Sequence, residues 1–364
     1  MQAASPDNLE ISAQPPIPPQ AEPQPSITPK GPIPLTERSQ QADSPPNWNR
    51  LTEKWGLRTA DRLGDRLSEI GGDNYLVESL MPGRALALVA GDSGIGKSPL
   101  LYQMAMCVAA GVPFLGFPTR QARVLYVDGE NGLADADELV NRLTQHLGLA
   151  ERPREFVLFN LNDCTPHWGE EGYELPDLVA EVQPGLTVLD PIGAVFPYAE
   201  EKNSETTKAY RRLRDCTRRH GCSFMVVHHL RKPSPEENVC RLSEERVRDW
   251  FLQVRGARNL VNGADIRLAI DETDRQDVEL VCGGFGRLRG GLPFIHLARV
   301  HDEQGQPLGY RRATGVELLA HPAHREAFRR LPRTFGFTDA KRVYGKGSQA
   351  TTLLSNLAEI PPSA

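Results

Sequence analysis

Short apolar runs alternate with longer amphipathic segments through the middle of the chain. Each run has the length of a buried strand, and the segments between the runs carry apolar residues at the three- and four-residue spacing of a helix face. The predicted strands are 85–90, 123–127, 156–159, 186–189 and 222–227, and the predicted helices are 100–110, 136–147, 175–182 and 209–216. Strands that alternate with helices of this length predict right-handed crossovers and a mostly parallel sheet covered on both faces.

The pattern changes after the last of these strands. A polar stretch of about twenty residues, 233–254, predicts a loop, and strands then follow one another without long helices between them. The strand-like runs are 266–270, 278–282, 294–300 and 309–312, and 302–307 has the composition of a hairpin connection. We therefore expect an α/β fold in which antiparallel strands extend the parallel sheet.

The N-terminal part of the chain differs from this middle part. Residues 1–48 hold 12 of the 30 prolines and few large apolar side chains, a composition that predicts a disordered arm with polyproline character. Residues 49–72 have helical spacing and predict a helical lead-in. The main domain is then expected over 73–315.

The C-terminal segment, 316–364, is basic. From residue 321 onward it has seven lysines and arginines against three acidic residues, although the whole chain has a net charge of −5. Helical spacing at 337–344 and 349–359, with a glycine turn between them, predicts a helix-turn-helix. Two interpretations of this helical pair are left open: it contacts DNA, or its helices simply pack against the rest of the protein.

Composition indicates a soluble protein of a reducing compartment. The chain has 364 residues, 39% of them hydrophobic, and no apolar run long enough to span a bilayer. Its first residues lack the charged start and apolar stretch of a secretory signal. The six cysteines occur without a C-x-x-C pair, which argues against a zinc site. We expect a cytoplasmic protein with no membrane partner.

The clearest chemical motif follows the first predicted strand. It fits G-x-x-x-x-G-K-[ST] and consists of Gly91, Asp92, Ser93, Gly94, Ile95, Gly96, Lys97 and Ser98. The glycines allow successive main-chain N–H groups to surround a phosphate chain, and the helix that follows adds the positive end of its dipole. Lys97 is expected to contact the β- and γ-phosphates, and the Ser98 hydroxyl is expected to ligate Mg²⁺. ATP and Mg²⁺ are therefore the predicted cofactors.

Two acidic residues at predicted strand ends are candidates for the chemistry. Asp190 has the position of a Walker B aspartate, which holds Mg²⁺ through water. Because Pro191 follows it, Asp190 is also a candidate for an ordinary helix N-cap. Glu130 follows the strand after the P-loop helix, where a carboxylate can polarise the attacking water. Its surroundings, Asp-Gly-Glu-Asn, are equally good turn chemistry, so spacing alone leaves both interpretations of Glu130 open.

Histidines and arginines accompany the later elements. His228 and His229 end the strand that begins at residue 222, where they can donate to a phosphate and relay its presence. The helix before that strand carries a basic face, which is either a solvated surface or a contact surface for DNA or another subunit. This face consists of Arg211, Arg212, Arg214, Arg218 and Arg219.

Several of these motifs together resemble the RepA-like branch of the RecA-type ATPases, whose best-known members are hexameric plasmid replicative helicases. The segments that carry the resemblance are 91–98, 124–131, 187–190, 226–232 and 255–256, within about residues 72–300. The resemblance implies a RecA-like P-loop core, Glu130 as the catalytic base and Asp190 as the Walker B acid. It also implies that His228 or His229 senses the γ-phosphate and is linked to DNA-facing loops.

The chain differs from that family after its Arg-Gly pair, where Ala257 and Arg258 replace serines. The helicases also carry an arginine that reaches into the neighbouring subunit's site. At the aligned position this chain has Asp265, with Arg267 two residues later. Arg255 and Arg267 are the candidates for this trans-acting role.

Three functions are consistent with these features. The first is a helicase-like ATPase, homo-oligomeric and hexameric as in those helicases, that hydrolyses MgATP and acts on DNA in replication, repair or mobile-element maintenance. The second is a DNA-binding regulator whose ATP state controls the C-terminal helical pair. The third is a nucleotide-switched interaction module that docks a protein partner through the proline-rich N-terminal arm.

Overall fold

The computed structural model describes residues 47–55, 57, 59–62, 75–163, 174–232, 239–243, 246–256, 258–273, 279–286, 292–313, 330–332 and 336–344. Contacts divide the chain into two compact units, residues 1–66 and 67–364. The described part of the first unit contains helix α1 (Trp48–Trp55) and a 3₁₀ turn, Ala60–Arg62. Nearly all of the predicted N-terminal arm, and the predicted helix 349–359, lie outside the described residues.

The second unit follows the predicted order of strands and helices. Its strands are β1 (Tyr75–Val77), β2 (Met81–Pro82), β3 (Leu86–Gly91), β4 (Val124–Asp128), β5 (Phe156–Asn160), β6 (Leu186–Asp190), β7 (Ser223–His229), β8 (Ile266–Glu272), β9 (Leu280–Gly286), β10 (Ile295–His301) and β11 (Pro307–Arg312). Its helices are α2 (Lys97–Ala110), α3 (Leu133–His146), α4 (Leu175–Val182), α5 (Ile192–Val195), α6 (Asn203–His220), α7 (Val247–Trp250), α8 (Arg258–Gly263) and α9 (Phe337–Tyr344). Short 3₁₀ turns, Pro197–Glu200 and Phe251–Gln253, follow α5 and α7. α9 coincides with the first helix predicted for the C-terminal pair.

Nine of the described strands form one sheet in the order β11-β10-β9-β8-β3-β7-β6-β4-β5. The six strands from β8 to β5 run parallel, and β9, β10 and β11 continue the sheet antiparallel. The predicted fold class, a mostly parallel α/β sheet extended by antiparallel strands, is therefore confirmed. β1 and β2 pair separately as a short antiparallel ribbon, which the sequence pattern did not reveal.

Helices cover both faces of this sheet. α2 and α3 pack on one face, and α4 to α8 pack on the other. Side chains of the central strand β3 alternate between the two cores, with Ala87 and Val89 in the first and Leu86 and Leu88 in the second. Because both faces of β3 are buried, its sequence is a continuous apolar run. None of the described helices combines the length and the apolar character needed to cross a bilayer.

The segment between β7 and β8 is more ordered than its polar composition predicts. It contains α7, and Trp250 at the end of this helix is fully buried. The Trp250 indole N–H and the main-chain N–H of Leu242 both donate to one carboxylate oxygen of Asp271, each at 2.9 Å. The prediction of a plain loop was wrong for this part, because one buried tryptophan and its acidic partner order a segment whose average composition is polar.

Candidate nucleotide-binding and catalytic site

The carboxyl ends of four parallel strands, β3, β4, β6 and β7, bring the predicted motifs to one edge of the sheet. The parallel register places Gly91 of β3 beside His229 of β7, and Asp128 of β4 beside Asp190 of β6. Ligands of open α/β sheets bind in the crevice at this edge. The fold therefore assembles one site from motifs that are far apart in the sequence.

The P-loop connects the end of β3 to the first turn of α2. Gly94 and Gly96 have φ angles of 76° and 102°, in the left-handed region that favours glycine. Gly96 is also the residue that precedes α2, and in the described part of the chain no side chain caps the helix there. The first N–H groups of α2 are thus left for a ligand, and together with the helix dipole they favour an anion.

Lys97 is the buried cation of this loop. Its ammonium donates to the main-chain oxygens of Asp92 at 2.6 Å and Gly91 at 3.2 Å, and it lies 3.2 Å from Nδ1 of His229. Burial lowers the pKa of Lys97, although the negative charges of the surrounding carboxylates partly raise it again. The side chain is therefore held by main-chain acceptors that phosphate oxygens can replace.

His229 joins Lys97 to Glu130. The Nδ1 atom of His229 faces the ammonium, and its Nε2 atom lies 2.8 Å from Oε1 of Glu130. An ammonium can only donate, so Nδ1 must accept, and the proton of a neutral ring then lies on Nε2, which donates it to the carboxylate. This hydrogen bond holds the pKa of Glu130 below its usual value against partial burial, and the charge of Lys97 adds to the lowering.

A turn built on Asp128 presents Glu130 to His229. Asp128 is fully buried, and its Oδ1 atom accepts from the main-chain N–H groups of Glu130 and Asn131, both at 2.9 Å. Its Oδ2 atom accepts from the Asn131 side-chain amide at 2.8 Å and from the Tyr102 hydroxyl at 2.5 Å. The turn chemistry and the position of Glu130 are thus compatible, because Asp128 forms the turn that aims Glu130 into the site.

Asp190, the other acidic candidate, does not cap the short helix that follows it. α5 begins after Pro191, and no side-chain cap of this helix is found among the described residues. Instead, Oδ2 of Asp190 accepts from the Tyr126 hydroxyl at 2.6 Å. The interpretation of Asp190 as an ordinary helix cap is therefore wrong.

The surroundings of Asp190 fit a Mg²⁺ ion that is bound together with a nucleotide. Burial raises the pKa of Asp190 to about 6, although the hydroxyls of Tyr126 and Ser98 oppose the rise. The second oxygen, Oδ1, is buried and has no hydrogen-bond partner within the described part of the chain. Protein-bound Mg²⁺ typically combines one or two carboxylates with waters and substrate phosphates. The described residues contain no group of three or more His, Cys, Asp or Glu side chains that could hold a metal ion.

His228 belongs to an adjoining network rather than to the phosphate site itself. It is fully buried, and its Nε2 atom lies 2.8 Å from the main-chain oxygen of Arg255. Its Nδ1 atom lies 3.2 Å from Oε1 of Glu200, in an orientation that gives an electrostatic contact rather than a hydrogen bond. This contact with His228 holds the pKa of Glu200 below its usual value, although burial opposes it. Neighbouring histidines thus link the P-loop to the segment around Arg255.

Gly256 packs this segment against the main chain of Glu200. Gly256 has a φ of 79°, and a Cβ added there would lie 2.3 Å from the Glu200 main-chain oxygen. We expect Gly256→Ala to lower the free energy of unfolding by about 1–2 kcal/mol through backbone strain and by about 1–3 kcal/mol more through the contact. Gly148→Ala is the control, since Gly148 has a φ of 64° and nothing within 4 Å of the added Cβ. Denaturant titration measures both, and equal losses would contradict the predicted contact.

The two candidate trans-acting arginines lie in different surroundings. Arg255 is exposed. Arg267 is buried in β8, where its guanidinium donates to the main-chain oxygens of Val261 at 2.6 Å and Asn262 at 2.9 Å. Reaching a neighbouring subunit would require Arg267 to give up both bonds, whereas the exposed Arg255 has no such requirement.

The sequence pattern did not identify four residues of the site as functional: Tyr102, Tyr126, Asp128 and Glu200. The acidic start of the Asp-Gly-Glu-Asn turn was a usable signal for Asp128, since Asp two residues before a turn amide commonly accepts from it. Tyr102 and Tyr126 lie in apolar runs and have the pattern of ordinary core aromatics. Glu200 lies in a charged segment whose contact with His228 depends on tertiary structure.

Comparison with known proteins agrees with this geometry. The family model described as an AAA domain matches residues 57–235, a range that contains the P-loop, Glu130, Asp190 and both histidines. Residues 57–235 are thus similar to the AAA domain family. Nucleotide binding is what this domain type implies, and the geometry of the P-loop suits it.

Individual proteins are also similar to parts of this chain. The DNA repair protein RadA from Halalkalibacterium halodurans is 27% identical over 182 residues, which are 47% of this chain and 33% of RadA. The chain thus spans about a third of that relative's length. One similar solved structure is the RadB recombinase, which is 19% identical and covers 68% of this chain and 96% of its own. Another is a KaiC-like protein from the archaeon Pyrococcus horikoshii OT3, which is 12% identical and covers 66% of this chain and 94% of its own. Both have a TM-score of 0.41. The RepA-like branch within the RecA-type ATPases stays a prediction.

Proposed function

We propose that this protein hydrolyses ATP with the aid of Mg²⁺ and couples the hydrolysis to work on DNA. The observation that carries the catalytic half is the series of contacts from Lys97 through His229 to Glu130. It connects the phosphate-binding cation to a carboxylate that can act as the base, at hydrogen-bond distances. A general base must lie within hydrogen-bond reach of the water that attacks the phosphate, so it has to be close to the phosphate-binding residues.

The residues of the P-loop bind and orient the nucleotide in this proposal. The Lys97 ammonium exchanges the main-chain oxygens of Gly91 and Asp92 for oxygens of the β- and γ-phosphates. Ser98 and Asp190 are the residues that would hold Mg²⁺, which when bound neutralises charge on the phosphate oxygens.

Glu130 acts on the attacking water. Its lowered pKa keeps it a carboxylate near neutral pH, so that it can accept a hydrogen bond from the water and then its proton as the oxygen attacks the γ-phosphorus in line. The bond from that phosphorus to the bridging oxygen breaks, and ADP leaves. His229 holds the Glu130 carboxylate in place through its Nε2–H.

The paired histidines are proposed to report nucleotide occupancy to the DNA-binding part of the molecule. When Lys97 turns to the phosphates, Nδ1 of His229 loses its present partner. His228, the next residue along the same strand, holds the main chain of Arg255. A shift at the end of β7 is thereby transmitted to the residues that lead into α8.

A basic cavity beside α8 supports the DNA half of the proposal. It has a volume of about 380 Å³ and lies between α6 and α8. Its polar lining includes Thr207, Arg211, Arg214, Arg218, Asn259 and Asn262. Arg214 pairs with Asp265, and Arg218 pairs with Asp215. Arg211 is exposed, and no ion pair with it is found in the described ranges.

The chemistry of this lining suits a nucleic-acid backbone. Guanidinium, amide and hydroxyl groups are among the groups that bond to DNA phosphates. The relative RadA is named as a DNA repair protein, which favours DNA over other polyanions as the ligand. The basic face of α6 was left open by the sequence between a solvated surface and a contact surface. Its part formed by Arg211, Arg214 and Arg218 is proposed to be a contact surface.

Replacement of Arg211 tests this assignment. We expect Arg211→Ala to weaken DNA binding about equally for different sequences and to reduce the slope of log affinity against log salt by about 1, because one phosphate contact is lost. Arg152→Ala is the charge-matched control, since Arg152 is paired with Asp137 of α3, a helix on the opposite face of the sheet. Fluorescence anisotropy with labelled DNA at several salt concentrations measures both. Identical salt slopes for the two variants would refute the cavity as the DNA site.

We also propose assembly into a homo-oligomer, hexameric in the RepA-like case. The exposed Arg255 is then the candidate that enters the neighbouring subunit's phosphate site, and an arginine supplied in this way can accelerate phosphoryl transfer by about 10³–10⁵-fold. Arg267 is buried and bonded to two main-chain oxygens of α8, which makes Arg255 the better candidate of the two.

A further inference from the structure

Two tyrosines lie behind the catalytic edge of the sheet. Tyr102 is on α2 and Tyr126 is on β4, and both side chains are fully buried. Their ring centroids are 4.1 Å apart with an angle of 42° between the planes. Phe156 of β5 packs against both rings, with centroid distances of 5.7 and 6.1 Å. The three rings form one packed group, so that the two hydroxyls are held in fixed positions.

The two tyrosine hydroxyls donate hydrogen bonds to different carboxylates. Tyr126 donates to Oδ2 of Asp190 at 2.6 Å, and Tyr102 donates to Oδ2 of Asp128 at 2.5 Å. These distances are at the short end for hydroxyl donors, as is usual when the acceptor is charged. Neither hydroxyl is needed to fill the core, because phenylalanine occupies the same volume without a polar group to satisfy.

The two carboxylates have separate tasks in the proposed ATPase reaction. The other oxygen of Asp190, Oδ1, has no hydrogen-bond partner among the described residues, which leaves that atom for the metal site. Asp128 uses Oδ1 to hold the main-chain N–H groups of Glu130 and Asn131, which fixes the turn that carries the base. One ring pair therefore supports both the metal-holding carboxylate and the base-bearing turn.

We propose that Tyr126 is a positioning residue for the Mg²⁺ site, and that Tyr102 is a positioning residue for Glu130. Tyr126 occupies Oδ2 of Asp190 and so directs Oδ1 toward the metal, whereas Tyr102 fixes Asp128 and, through it, the Glu130 turn. The inference rests on the proposed ATPase function. It extends that function by assigning one buried hydroxyl to the metal site and the other to the turn that carries the base.

The test uses Tyr126→Phe and Tyr102→Phe, which retain the rings and remove one hydroxyl each. Mg²⁺ is expected to strengthen ADP binding, and for Tyr126→Phe we expect the Mg²⁺ concentration that gives half of this effect to rise by about 10- to 100-fold. The affinity for ADP in excess chelator, where no Mg²⁺ is bound, is expected to stay unchanged. For Tyr102→Phe we expect the Mg²⁺ dependence of ADP binding to stay as in the wild type, while kcat for ATP falls by about 10- to 100-fold at unchanged KM.

Tyr210→Phe is the matched control. Tyr210 is buried in α6, and its hydroxyl donates to the main-chain oxygen of Leu260 at 2.8 Å, so the same atom is removed from a comparable core position away from the nucleotide site. We expect it to change neither the Mg²⁺ dependence nor kcat. Titration calorimetry of ADP at graded Mg²⁺, steady-state ATPase kinetics and denaturant titration are measured on all four proteins.

The proposal would be overturned if both variants matched Tyr210→Phe, or if they lost Mg²⁺ response and kcat together in proportion to a loss of stability. Failure of the proposed function gives a different result, namely no ATP turnover by the wild type. The Mg²⁺ titration of ADP binding still tests Tyr126 in that case, because it requires no hydrolysis.

Discussion

Glu130→Gln is expected to lower ATP turnover by about two to four orders of magnitude while leaving ATP affinity within about twofold. Glutamine has nearly the same shape, and its amide oxygen can still accept the Nε2–H of His229 that now lies 2.8 Å from Oε1. The phosphate contacts of Lys97 and the P-loop are therefore retained. What is lost is the negative charge that orients the water and accepts its proton.

The measurement for Glu130→Gln is kcat together with the dissociation constant of a non-hydrolysable ATP analogue. Glu138→Gln serves as the matched control, because Glu138 is an exposed residue of α3 paired with Arg142. We expect the control to behave like the wild type in both measurements. Turnover of Glu130→Gln within a few-fold of the wild type would remove Glu130 from the role of base.

Lys97→Ala is expected to reduce ATP turnover by at least about two to three orders of magnitude, the effect typical of losing one group that stabilises transition-state charge, and to weaken ATP binding as well. Lys97 is buried in the centre of the P-loop, 2.6 Å from one main-chain oxygen and 3.2 Å from another. Because no other lysine or arginine belongs to the P-loop sequence, 91–98, its positive charge has no substitute within that loop.

Binding and turnover have to be separated from folding for this variant. Burial lowers the pKa of Lys97, which means that the folded protein holds this charge at a cost. We therefore expect Lys97→Ala to retain a folded core in denaturant titration. Lys208→Ala is the control, an exposed lysine paired with Glu205, and we expect its DNA-free turnover to equal that of the wild type. A Lys97→Ala protein that turns over ATP at the wild-type rate would refute the P-loop assignment.

The sheet was predictable because each central strand is buried on both faces. Continuous apolar runs such as β3 and β6, separated by helices of suitable length, leave few alternatives to a parallel sheet. The P-loop was predictable for a similar reason, since its glycines are required by positive φ angles at Gly94 and Gly96. In both cases the local sequence carries the physical constraint.

The contacts that complete the site are not local, and the sequence therefore did not reveal them. The link between Glu130 and His229 spans 99 positions, and the contact between Tyr126 and Asp190 spans 64. Periodicity places each residue on a strand or turn but does not give the sheet order that brings them together. Trp250 shows the same limit, since its burial against Asp271 depends on β8.

The measurement that tests the central claim most directly is the steady-state ATPase rate of the full chain, with and without single-stranded and duplex DNA, and with Lys97→Ala as the blank. We predict Mg²⁺-dependent turnover well above the blank, with a further increase on addition of DNA. Turnover equal to the blank under all conditions would contradict the ATPase assignment. Turnover above the blank but indifferent to both forms of DNA would contradict the coupling to DNA.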